Sequence, residues 1–120
     1  PALLLECELD FQQASDSAFL QELELMQPFG AGNAEPVFAS PELTVVDRSP
    51  LGYSGDHVRL RLKDSASGIT LMAKGWNMAT AFPPSSVGSR IRVAYTPRLD
   101  YYRGVASIDV GIKDWQPVAD

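Results

Sequence analysis

The chain has 120 residues, 45% of them apolar, which is enough for one hydrophobic core and argues against disorder throughout. No apolar run approaches the roughly 20 residues that cross a bilayer, and the single cysteine, Cys7, excludes an internal disulfide framework. The net charge of −5 opposes a polyanion partner, yet residues 1–47 hold nine acids and no Lys or Arg, while residues 48–113 hold all ten bases and four acids.

Leu3, Leu5, Cys7, Leu9 and Phe11 alternate with Glu6, Glu8 and Asp10, the period of two that marks a half-buried strand. The opening Ala2-Leu3-Leu4-Leu5 is too short for a signal-peptide core and has no basic residue before it. With Pro1 in first place, the chain reads as a cytoplasmic fragment of a longer protein. Gln12 to Asp16 is a polar break in which Ser15 or Ser17 can cap a helix. Ala18, Phe19, Leu20, Leu23, Leu25 and Met26 then recur at helical spacing, predicting a helix over 16–27 that ends before Pro28.

Pro28 to Pro36 is a loop. Its Gly30-x-Gly32 lacks the Lys-Ser/Thr of a P-loop and the third glycine of a dinucleotide fingerprint, so it reads as a structural turn. Beyond it, strands are predicted at Val37 to Phe38, Leu43 to Arg48, His57 to Lys63, Ile69 to Trp76, Arg90 to Pro97 and Val105 to Trp115. Breakers fall at 49–52, 64–68, 83–88 and 100–104, and Asn77 to Phe82 is a candidate short helix. Five main strands at this spacing, each with one apolar face, suit a small closed barrel without exposed edges.

The most informative segment is His57-Val58-Arg59-Leu60-Arg61-Leu62-Lys63. Side chains alternate along a strand, so Val58, Leu60 and Leu62 point one way while His57, Arg59, Arg61 and Lys63 form a basic stripe on the other. Arg90 and Arg92 repeat the pattern, and such stripes merge into one patch where their strands pair. The competing reading is a charged face that simply keeps a strand solvated. Arg98-Leu99-Asp100-Tyr101-Tyr102-Arg103-Gly104 puts flat rings beside cations, the combination that single-stranded nucleic acid needs. One of Tyr101 and Tyr102 is expected to plug the barrel, because neighbours on a strand point oppositely. Trp76 shares strand-face spacing with Lys74, but the apolar residues before it place it in the core; Trp115 reads as packing. His57 and Cys7 stand alone, so neither a zinc cluster nor a Cys/His nucleophile pair can be assembled, and the chain itself is expected to be no enzyme.

The stretch Leu23 to Phe38 resembles a signature of RecJ-type exonucleases, in which a helix ends in Pro-Phe-Gly-x-Gly-Asn-x-Glu-Pro-x-Phe before an OB domain. Every fixed position matches, with Ala34 where the family often carries proline. Gly55 to Leu60 resembles the family's Lys-His-Leu-Lys-Leu strand, and Tyr102 to Ile108 its Asn-x-x-x-Gly-x-x-x-x-Gln-Leu end, with Asp100 and Ser107 departing from the polar positions. The resemblance implies a mainly β fold: a five-stranded OB-type Greek-key barrel over 34–120, preceded by a strand–helix connector over 1–33. It implies a non-catalytic single-stranded-DNA-binding module of a 5′–3′ exonuclease, with no cofactor in this fragment and Mg or Mn in the parent's catalytic core. The expected nucleic-acid contacts are His57, Arg59, Arg61, Lys63, Lys74, Arg92, Arg98, Tyr101, Tyr102 and Arg103. The expected partners are single-stranded DNA, the parent's other domains and the acidic tail of a single-stranded-DNA-binding protein; no membrane is expected. The alternative is a structural or protein-interaction barrel packing on the nuclease core or receiving such an acidic tail.

Overall fold

The computed structural model describes residues 5–25 and 35–119. The loop at 28–33 and the end of the predicted helix therefore lie outside the described residues. In chain order the elements are β1 (Leu5–Glu8), α1 (Phe11–Ala14), α2 (Ser17–Glu24), β2 (Val37–Ala39), β3 (Leu43–Leu51), β4 (His57–Asp64), β5 (Thr70–Gly75), β6 (Arg90–Tyr102) and β7 (Val105–Pro117). A single 3-10 turn, Pro84–Ser86, precedes β6.

Strands β3, β4, β5, β7 and β6 are hydrogen-bonded in that order, and β6 returns to β3 to close the ring. All pairs in the ring are antiparallel except β5–β7. This is the OB barrel, formed because each strand carries an apolar residue at every second position. Val58, Leu60 and Leu62 of β4, Ala73 of β5, Ile91, Val93 and Tyr95 of β6, and Val110 and Ile112 of β7 point inward and are buried. On β3 the ladder skips Val46, a bulge that lets Val45 face inward and Asp47 outward.

The connector packs into the same core. β1 pairs in parallel with β2, which joins β6. Asp10 accepts from the Gln13 N–H while the Gln13 side chain accepts from the Asp10 N–H, a capping box that turns the chain into α1. That turn swings Phe11 inward, edge-on to the Tyr95 ring at 5.9 Å. Asp64, a carboxylate with no exposed surface, accepts from the backbone N–H of Phe11 and of Ala66, both at 3.0 Å. The Tyr95 hydroxyl donates to the Leu9 carbonyl at 2.6 Å; burial, with Asp10 and Asp64 nearby, raises its pKa and keeps it a donor. Among the described residues, no helix is long and apolar enough to cross a membrane.

Several local expectations are corrected. The first strand stops at Glu8, because the Asp10 cap begins a helix inside the supposed polar break, and Cys7 is exposed. Asp16, not Ser15 or Ser17, caps α2, through the Ala18 N–H at 2.9 Å. β3 runs through the expected break to Leu51, with Pro50 opposite Val58. Residues 77–82 form turns instead of a helix: Asn77 takes φ 59°, and one helical bond joins the Phe82 N–H to the Met78 carbonyl. β6 and β7 extend to a two-residue turn, Arg103-Gly104, inside the expected 100–104 break.

Candidate nucleic-acid interface

Because β4 buries Val58, Leu60 and Leu62, it presents His57, Arg59, Arg61 and Lys63 on the outer wall, as alternation requires. Across the β4–β5 ladder, Arg59 lies opposite Lys74, Arg61 opposite Met72 and Lys63 opposite Thr70. Arg59, Arg61 and Lys63 form no ion pair among the described residues. Asp47 sits opposite Arg61 on β3, but its carboxylate accepts the Arg48 N–H at 2.8 Å. Three cations along one strand are thus left to solvent.

The outer face continues onto β7 and β6. Asp109 lies opposite Met72 on one side and Arg98 on the other, and takes Lys74 Nζ at 3.4 Å. Burial raises the Asp109 pKa, opposed by Lys74. Arg98 is paired with Glu35, which also holds Lys113 at 3.0 Å; burial, then Arg98, lowers the Lys113 pKa. Lys74 and Arg98 therefore begin from ion pairs and are not free cations. The hairpin beyond them ends in Arg103-Gly104, whose φ angles of 52° and 79° match the turn that suits strand twist. Tyr101 and Tyr102 are both exposed, at 62% and 68%, so neither plugs the barrel; Arg103 lies over the Tyr102 ring at 5.2 Å. At the tip, Tyr101 pairs with Ala106 and Tyr102 with Val105 across the β6–β7 ladder.

Arg90 and Arg92 do not join the stripe. β3 lies between β4 and β6, so the two basic strands never pair. Arg90 binds Glu42 at 2.8 Å, and Arg92 lines a separate groove of about 230 Å³ with Ser40, Asp114, Trp115 and Gln116. Trp115 is half-buried against Phe82 at 4.6 Å, as expected. Trp76 reverses its expectation: it is 54% exposed, beside His57 at the opposite end of the stripe from the tyrosines. Its parity with Lys74 was the available signal. Tyr53, in the turn between β3 and β4, is fully exposed and stands outside the sequence-level candidates. Among the described residues, no three His, Cys, Asp or Glu side chains could hold a metal ion.

The family model described as "RecJ OB domain" matches residues 5–114. The chain belongs to the RecJ OB domain family. Within 112 aligned residues it is 25% identical to the single-stranded-DNA-specific exonuclease RecJ of Haemophilus influenzae, covering 91% of this chain and 19% of that protein. The crystal structure of RecJ in complex with Mn2+ from Thermus thermophilus superposes with a TM-score of 0.58 and 26% identity, over 83% of this chain and 14% of that one. A putative aspartyl-tRNA synthetase from Leishmania major Friedlin gives a TM-score of 0.63 at 12% identity, over 94% of this chain and 21% of that one, a likeness of fold alone. This RecJ OB domain thus spans about a fifth or less of the RecJ relatives it matches.

Proposed function

We propose that this RecJ OB domain is a non-catalytic module that holds single-stranded DNA for the catalytic core of a 5′–3′ exonuclease. Arg59, Arg61, Lys63 and Arg103 meet backbone phosphates, and Tyr101 or Tyr102 stacks on a base. The observation that carries this reading is the outward row of three cations, without ion pairs among the described residues, on the strand where OB folds bind oligonucleotides. Family membership and the activity named for the Haemophilus relative support single-stranded DNA as the substrate class. Contacts to phosphate and to ring faces carry little sequence information, so base preference should be weak. In this reading the metal-dependent chemistry is the parent's, in line with the Mn2+ complex of the Thermus thermophilus RecJ.

The test is an anisotropy titration of labelled oligo-dT with the natural chain and with Arg59→Glu plus Arg61→Glu. The double variant should lose at least about tenfold in affinity, because like-charge juxtaposition costs several kcal/mol. An acidic peptide offered to both proteins is the control. Peptide binding that disappears in the variant, while oligonucleotide binding persists, would assign the stripe to a protein partner.

A further inference from the structure

Trp76 has no role in the reading above, and its placement is unusual for an indole beside an apolar core. The barrel end beneath it is filled by other side chains. Phe82 is buried, Met78 packs on the core, and a Cβ on Gly75 would lie 3.0 Å from Val58 Cγ1 and 3.1 Å from Met78 Cβ. The indole therefore stays outside, one residue beyond β5 and on the face of Lys74. It is nevertheless held in place. The His57 ring meets it edge-on at 4.8 Å and 68°, and His57 Nδ1 accepts the Asn77 N–H at 2.9 Å. Asn77 takes φ 59°, and the indole before it remains 54% exposed.

We infer that Trp76, buttressed by His57, is a base-stacking platform at the end of the cationic stripe remote from Tyr101 and Tyr102. The inference rests on the single-stranded-DNA reading and adds a second anchor to it. A nucleobase fits this setting because it has an apolar face for the indole and a linked phosphate for the cations. Arg59 and Lys74 form the next cross-strand pair along the wall. A protein partner would need a wider apolar surface, whereas the neighbours here are His57, Arg59 and Lys74. By ladder register, the wall runs four residues from Trp76 to Met72 and four more from Asp109 to Val105, about 25 Å at strand rise. At a stacked spacing of about 3.4 Å this is roughly eight nucleotides, inside the range of single OB folds.

The chain has two tryptophans, so a Trp115→Phe variant leaves Trp76 as the sole indole emitter. Titration of that variant with unlabelled oligo-dT of about 15 nucleotides should quench Trp76 emission with the midpoint seen by anisotropy. Trp76→Leu should weaken binding about 5- to 150-fold, and Trp76→Phe should keep most of it. If Trp115→Phe does not fold, as judged by circular dichroism, the Leu and Phe variants in the natural background decide by anisotropy. Saturable binding with Trp76→Leu within twofold of the natural chain, or with unchanged Trp76 emission, overturns the platform and leaves the DNA reading standing. No binding of oligo-dT by the natural chain overturns both.

Discussion

Asp109 stands between Lys74 and Arg98 on the outer wall, and its pKa is raised because desolvation, with Asp100 adding to it, outweighs the pull of both cations. The folded state therefore binds a proton at this carboxylate more readily than the unfolded chain does. Stability from this group falls as pH rises from the ordinary carboxylate value of about 3.9 to the higher folded one, and the deficit persists above it. Asp109→Asn removes the titration. Urea unfolding across that window should show the natural chain losing ground to the variant as pH rises. The same change leaves Lys74 without its carboxylate partner, so oligonucleotide affinity should increase, and the salt slope should steepen by about 0.7 if Lys74 then meets a phosphate. At this scale Trp76 shows what sequence resolves least well. Parity put it outside with Lys74, hydrophobicity put it inside, and Met78 with Phe82 had already taken the interior.

At the scale of elements, the period of two placed every barrel strand, because each strand must bury one face to close the ring. Its ends were less legible. Pro50 looked like a stop but lies within β3, since ladder pairing continues to Leu51 opposite His57. Asp100 to Gly104 looked like a loop because the residues are polar, yet a tight turn needs only positive φ at two positions. Arg103 meets that demand at φ 52°, where a side chain is strained and asparagine is better tolerated. Arg103→Asn should therefore leave thermal stability unchanged or raise it by up to about 0.5 kcal/mol. Its oligonucleotide binding should weaken, with about 0.7 removed from the magnitude of the salt slope. A variant that loses stability and affinity together would show that the guanidinium serves the turn through Tyr102 and not the ligand.

Across the whole molecule, the segregation of charge along the chain is only partly a segregation in space. Glu35 and Glu42, from the acidic N-terminal segment, fold back onto Arg98, Lys113 and Arg90, and Arg48 donates to the carbonyls of Phe82 and Ala79. Counting bases in a stretch of sequence misses such returns, because ion pairs form between residues distant along the chain. Arg92 also has no ion pair among the described residues but lies in the separate groove beside Trp115. What remains on this wall is a smaller set: Arg59, Arg61 and Lys63 on β4, with Arg103 at the hairpin tip. If each neutralises one phosphate of a single strand, log affinity should fall with log salt at a slope near −2.8, from about 0.7 per contact. Raising salt from about 50 to about 200 mM would then weaken oligo-dT binding about 50-fold, as read by anisotropy. A slope steeper than about −4 would mean that Lys74 and Arg98 abandon Asp109 and Glu35 for the ligand. A slope near zero would remove phosphates from the mechanism and leave only the aromatic rings to hold a strand, despite the net charge of −5.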